Sequence, residues 1–277
     1  MLSQLVLVTL GIALALFARK SRPAHDQTGR NLNNQGAAKQ SPDLLNVATY
    51  NIQTGKSLQG KRNLSRSAEV LKHCDVAGVQ EVYAPKLLNL FGVGHGQASR
   101  LASKGSFAWL FCPTRRRWLR EHRGNLLLSK IPAIQWEVKM LPDQSGRSYR
   151  NMLIAEMKWQ GQTFHFINTH LHTRQGREEQ LDMVLREFAK YPRAILLGDF
   201  NSRIDSPIIA SALKNVEISD AVTLAGLDLD NPDRIDWILT KGFNVHGGKF
   251  IEKGVSDHPY YQVSLSIKQS QRREDLE

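Results

Sequence analysis

Hydrophobic and polar positions fall into three textures along this chain. Leu5 to Phe17, LVLVTLGIALALF, is almost unbroken apolar sequence, closed by Arg19, Lys20 and Arg22. Residues 21–42, SRPAHDQTGRNLNNQGAAKQSP, hold almost no aliphatic side chains and read as a polar linker. From residue 43 to 267, short runs of Val, Ile, Leu, Thr and Phe alternate with polar breaks. They predict strands at Leu44–Tyr50, Val76–Gln80, Phe107–Cys112, Asn125–Ser129, Met152–Trp159, Thr163–Thr169, Ala194–Gly198, Arg234–Thr240 and Tyr260–Ile267. Two stretches carry the helical period instead: residues 63–73, and residues 175–190, where Leu181, Val184, Leu185 and Phe188 recur at i, i+3, i+4 and i+7. Residues 268–277, KQSQRREDLE, form a charged tail.

Many strands and fewer helices in one unit predict two sheets packed face to face with helices outside. No internal repeat or long low-complexity stretch divides the chain, so residues 43–267 are expected to fold as one domain. With 277 residues and 41% hydrophobic composition, the chain can bury a substantial core.

The N-terminal segment, residues 1–20, offers about 17 apolar-rich positions, the lower limit for a bilayer core of ~30 Å. An uncleaved anchor is the first expectation, and the positive-inside rule then sets the basic cluster and the domain on the cytoplasmic side. A cleaved export signal, with Ala13-Leu14-Ala15 as its processing site, is the second. A helix buried in a soluble protein is the third. Cys74 and Cys112 lie far apart without a CxxC partner, which argues against zinc and against a disulfide framework and makes both buried hydrophobes. A single bridge stays open only for an exported domain.

Residues 1–40 carry five Lys/Arg against one Asp and the last ten residues balance, so the domain keeps +7 of the formal +11. The densest patch, Arg115-Arg116-Arg117-Trp118-Leu119-Arg120-Glu121-His122-Arg123, can contact phosphates or act as a solvated loop that touches lipid headgroups.

The chemistry-bearing residues cluster at predicted strand ends. Asn51 closes the first strand, Gln80-Glu81 the second and His170 the sixth, while Asp199-Phe200-Asn201 follows ILLG. Asp236 opens the strand DWIL, and Ser256-Asp257-His258 precedes the last one. Each has a local explanation as a turn, cap or surface residue. Together they suggest convergence, because strand ends on one edge of a sheet sandwich can meet. In an extended chain, Asp199 and Asn201 would project to the same side.

The segments ATYNIQTG, GVQEV, INTHLHT, ILLGDFNS, RIDWIL and GVSDHPYY, in this order, resemble the endonuclease/exonuclease/phosphatase superfamily, and RGNLLLSKIPAI resembles its middle strand. The resemblance covers about residues 44–267 and implies an α+β fold, a four-layer αββα sandwich of two mixed sheets. It implies a Mg²⁺- or Mn²⁺-dependent phosphoester hydrolase, with water attacking phosphorus.

Carried over by motif, His258, Asp199, Asn201, His170 and Asp236 are the expected catalytic residues. Glu81, Asn51 and Asp257 are the expected metal ligands, and Arg123 and Asn125 the expected substrate-phosphate contacts. Carboxylate and amide oxygens suit such hard cations. His170 resembles the second histidine of the deoxyribonuclease and sphingomyelinase branches, which argues against abasic-site repair. His172 shares its strand parity without an assigned role, and His165, on the opposite parity, is expected to be structural.

A phosphodiesterase or nuclease is the leading expectation, nucleic acid being favoured over lipid as partner because of the basic domain. A membrane-associated, sphingomyelinase-like lipid phosphodiesterase and a small-molecule phosphatase are the alternatives. The nuclease reading lacks a recognisable DNA-reading insertion, and the lipid reading lacks a second hydrophobic insertion for gripping lipid.

Overall fold

The computed structural model describes residues 2–19, 22–35, 42–61, 63–84, 96–116, 122–144, 146 and 149–269. Its strands in chain order are β1 Arg22–Pro23, β2 Gln27–Arg30, β3 Leu45–Asn51, β4 Val76–Ala84, β5 Ala108–Arg116, β6 His122–Ser129, β7 Ala133–Met140, β8 Asn151–Trp159, β9 Gln162–His170, β10 Ala194–Asp199, β11 Ile218–Asp220, β12 Asp236–Lys241, β13 Phe243–Ile251 and β14 Tyr260–Ile267. The helices are α1 Leu2–Arg19, α2 Leu64–Leu71, α3 Gln97–Gly105, α4 Arg177–Ala189, α5 Pro207–Leu213 and α6 Ala221–Leu224.

The strands form two mixed sheets of seven. The first runs β1-β5-β6-β4-β3-β14-β13 and the second β11-β12-β10-β9-β8-β7-β2. Three apolar layers hold the sandwich together. Between the sheets lie Val47, Val76, Leu127, Leu153, Leu197 and Ile238. Under α2 and α3, Leu71 and Leu101 pack on the first sheet. On the second sheet Leu181, Val184 and Phe188 of α4 form the third layer, the face that their spacing predicts. Each such side chain contributes ~1.5–3 kcal/mol on burial.

A central strand covered on both faces needs an unbroken apolar run, and β10, AILLGD, is buried at every position. The sheets approach closely at Gly78, where a Cβ would collide with Leu197. Beside it Gln80 donates to Asn168 Oδ1 at 2.8 Å, and Asn168 donates to the Leu126 carbonyl at 3.1 Å. These bonds join the two sheets through their buried amides, while Gln80 Oε1 stays buried without a hydrogen-bond partner.

The strands read from the sequence all form, within a few residues at each end. β7 and β13 escape that reading because they are half exposed and broken by register shifts, at Ala133/Gln135 and Val245/Gly248. The polar linker is corrected over residues 22–30: β1 pairs with β5 and β2 with β7. Edge strands need backbone partners more than apolar side chains, so composition does not betray them.

No helix among the described residues is long and apolar enough to cross a membrane. The expected spanning anchor finds no support in α1, whose 18 residues rise only about 27 Å. Cys74 and Cys112 are buried and unbridged, and burial raises both thiols, Cys74 to about 12. Residues 117–121 of the basic patch and 270–277 of the tail lie outside the described residues.

Candidate active site

The strand ends singled out in the sequence meet where the two sheets share an edge. Asp199, the last residue of β10, pairs in register with His170 of β9 on one side and Asp236 of β12 on the other. From the other sheet, Asn51 at the end of β3 donates its Nδ2 to Asp199 Oδ2 at 3.0 Å. His258, just before β14, bridges the carboxylates: its Nδ1 is 2.8 Å from Asp236 Oδ2 and its Nε2 3.7 Å from Asp199 Oδ2. His170 Nε2 approaches the same Asp199 oxygen at 3.3 Å.

Local backbone chemistry explains how Asp199 reaches this point. Gly198 has φ +137, and a Cβ there would collide with the Thr169 carbonyl oxygen, so only glycine fits beside β9. The chain then turns at Asn201, φ 49, a left-handed conformation that Asn tolerates. The expectation that strand parity carries Asn201 alongside Asp199 is therefore corrected. Asn201 donates its backbone N–H to Asp199 Oδ1 at 3.0 Å and its side-chain amide to the Leu171 carbonyl at 3.1 Å. The segment is both an Asx-type turn and the frame of the site.

Glu81 is aimed by a different device. The β4–β6 pairing shifts register between Val79 and Val82, and Glu81 lies in that bulge with φ 60. Bulges re-aim side chains, and left-handed non-glycine residues gather at functional sites. Its carboxylate forms an ion pair with Arg123 of β6. Ser256 Oγ donates to the Asn51 carbonyl at 2.7 Å, tying the last loop to β3, and lies 3.2 Å from Asp257 Oδ1. Asn125 departs from the expected phosphate contact. It is 1% exposed and donates to Asn151 Oδ1 at 2.9 Å, so its amide joins the sheets.

Two carboxylates side by side in a buried row repel each other. Desolvation, reinforced by Asp236, lifts Asp199 to about 7 against the help of His258, Asn51 and the Asn201 N–H. Burial alone would strip His258 of its proton. The hydrogen bond and charge of Asp236, with Asp199 and Asp257 behind them, overcome this and raise the imidazole to about 9. His170 goes the other way: burial and then Arg150, Arg123 and His258 hold it well below 6.5, so it stands neutral beside Asp199.

Arg150 is the residue the sequence reading missed. It precedes β8 and donates its Nε to the Leu171 carbonyl at 3.1 Å. Burial, followed by repulsion from Arg123, lowers its guanidinium to about 10 despite the charges of Asp199 and Glu81. The one available signal was its position directly before a buried strand, within a stretch that read as loop.

The donor chemistry suits a hard divalent cation. Asp199, Asp236 and His258 offer ligand atoms within 4.8 Å of one another, and Asp236 Oδ1 is buried without a hydrogen-bond partner. Both nitrogens of His258 already face carboxylates, however, and its raised pKa favours a proton there over a metal. Glu81 carries a second carboxylate nearby, ion-paired with the half-exposed Arg123.

Residues 48–258 match the model of the Endonuclease/Exonuclease/phosphatase family. The chain belongs to that family. Membership makes phosphoester hydrolysis the supported class of chemistry. Solved structures share the fold at low identity. A family member from Beutenbergia cavernae is 21% identical over 86% of this chain and 72% of its own, with TM-score 0.64. The mannosyl-6-phosphatase of Bacteroides thetaiotaomicron is 17% identical over 80% and 100%, with TM-score 0.60. D. rerio TDP2, solved with a single-strand DNA product, is 17% identical over 81% and 100%, with TM-score 0.58. No curated protein matches the chain by sequence.

Proposed function

We propose that this chain is a divalent-metal-dependent phosphodiesterase in which water attacks phosphorus, with nucleic acid as its first candidate substrate. The observation that carries the reading is the row His170–Asp199–Asp236 closed by His258 from the opposite sheet. It sets a carboxylate of raised basicity beside a protonated imidazole.

In this mechanism Asp199 orients the attacking water and takes its proton, held in place by Asn51 and the Asn201 N–H. His258, kept charged by Asp236, donates toward a phosphoryl or leaving oxygen. Neutral His170 presents a ring nitrogen to the same region, and Arg123 and Arg150 supply positive charge for the phosphate. Glu81, Asn51 and Asp257 would hold Mg²⁺ or Mn²⁺, which when bound supplies charge neutralisation at the phosphoryl oxygens.

The basic domain and the single-strand DNA product in the TDP2 structure support nucleic acid as first candidate. The phosphomonoester substrate class named for the Bacteroides neighbour supports a phosphatase as second reading. Full-length protein with Mg²⁺ is offered plasmid DNA, RNA and a sugar phosphate, with His258→Ala alongside. Nucleic-acid cleavage lost in the variant is the expected result. Release of inorganic phosphate from the sugar phosphate without nuclease activity would overturn the first reading in favour of the second.

A further inference from the structure

The N-terminal helix presents eight large apolar side chains from Val6 to Phe17, each 47–68% exposed. They are spread around the helix, so it has no polar face to leave in water, and a helix apolar all round is stable only in apolar surroundings. At its base the Arg22 guanidinium lies over the Phe17 ring, 4.7 Å from the centroid.

The β1–β5 pairing sets Arg22 directly opposite Arg116. Both are exposed, and among the described residues neither has an acidic partner. Like charges in opposing positions destabilise a sheet unless an anion relieves them. These two arginines are 94 positions apart in the sequence, and only the pairing of a two-residue strand makes them a patch.

The patch also has a place relative to the site. Pro23 pairs with Arg115, Arg115 with Arg123, and Arg123 holds Glu81. The root of the helix therefore lies on the same edge of the first sheet as Glu81, three strand spacings or about 15 Å away.

We propose that α1 and the Arg22–Arg116 pair dock this protein on an anionic lipid bilayer, with the candidate active site facing the headgroup layer. The helix enters the hydrocarbon from its N-terminal end without crossing it, and the arginines stop at the phosphate level. Lipid fits better than a protein groove, because a groove covers one face of a helix and lipid covers all of them. The orientation rests on the active site assigned above, whereas the docking does not.

Full-length protein is co-sedimented with phosphatidylcholine vesicles with and without phosphatidylserine, and its thermal melt is recorded in parallel. Tight binding to the anionic vesicles is expected. Arg22→Ala with Arg116→Ala should bind them about thirtyfold more weakly at an unchanged melt, since an arginine near an anionic leaflet is worth about fivefold. Leu10→Asp with Leu14→Asp should abolish binding. No sedimentation of the wild type, or equal affinity of the arginine variant, overturns the proposal. So does loss of affinity for a DNA oligonucleotide in the arginine variant with vesicle binding intact, which reassigns the patch to nucleic acid. The His258→Ala protein should bind vesicles like the wild type, so failure of the hydrolase reading and failure of the docking are read separately.

Discussion

At the C-terminal ends of β9 and β10, His170 and Asp199 meet Asp236, Asn51 and His258. At the opposite end of β9, His165 also sits among acids, with Tyr191 stacked on its ring at 3.7 Å. This second cluster borders an open cleft of about 460 Å³ against β2, β7 and β8, lined by Arg30, Gln135, Glu137 and Glu156.

The difference lies in how the charges are met. Glu187 accepts from Lys190 at 2.7 Å and Tyr191 at 2.9 Å, and Glu156 accepts from Gln135 at 2.6 Å. Arg30, Gln135, Glu156 and His165 are register neighbours across four strands, a polar ladder on one sheet face. Desolvation lowers His165 despite Glu156 and Glu187. At the other end two sheets contribute, carboxylates oppose each other in a buried row, and an imidazole is forced to keep its proton. Residue type is shared by both clusters; unrelieved charge is not.

The comparison breaks most sharply under substitution. His258→Ala and Asp199→Asn should each lower kcat by ~10³-fold, the range for a lost acid or base, with little change in Tm. Near-wild-type turnover in either would equate the two clusters. EDTA should bring hydrolysis to background, and Mg²⁺ or Mn²⁺ should restore it; full activity in chelator would remove the metal from the scheme.

Gly198→Ala should destabilise the fold by ~3 kcal/mol, through the clash at the Thr169 carbonyl and the strained backbone, and a melt unchanged from wild type would refute that geometry. His165→Ala, by contrast, should leave kcat within about twofold and lower stability by ~1 kcal/mol through the lost ring stack. A large loss of turnover there would move the chemistry to the cleft.

The smallest effect concerns acid. Burial pushes Glu187 up, yet the bonds from Lys190 and Tyr191 and the charge of Lys139 hold it below 4.5 overall. A depressed carboxylate contributes stability above its unfolded pKa, and that contribution disappears as pH falls through the folded value. Wild type should therefore lose ~0.5 kcal/mol more than Glu187→Gln between neutral pH and ~pH 3, and parallel melts would contradict the assignment.

Local sequence carried much of this. The apolar run of β10, the spacing of α4 and the acids, amides and histidines at strand ends are local signals, since burial on both faces and helical period are written within a few residues. The family resemblance joined them. Asp199, Asp236, His258, His170 and Asn51 meet at one edge of the sandwich. Glu81 stands in the β4 bulge, paired with Arg123, and Asp257 adjoins His258 in the last loop.

Other features depend on long-range packing. Asn125 has the polarity of a ligand, but its amide is taken by Asn151 from the other sheet. Arg150 has the look of a loop residue, yet it is half-buried among the charges of both sheets. Asn201 follows the turn at φ 49 and not the strand parity that an extended chain would impose.

By itself, then, the sequence determined which segments are buried strands, where the polar residues interrupt them, and to which family the chain belongs, because alternation, period and motif are properties of neighbours along the chain. The tertiary structure alone decided that Asp199 faces Asp236 and His258, that a bulge aims Glu81, and that Arg22 stands opposite Arg116. Those outcomes depend on register and sheet packing, which join residues far apart in sequence through backbone hydrogen bonds that no side-chain pattern records.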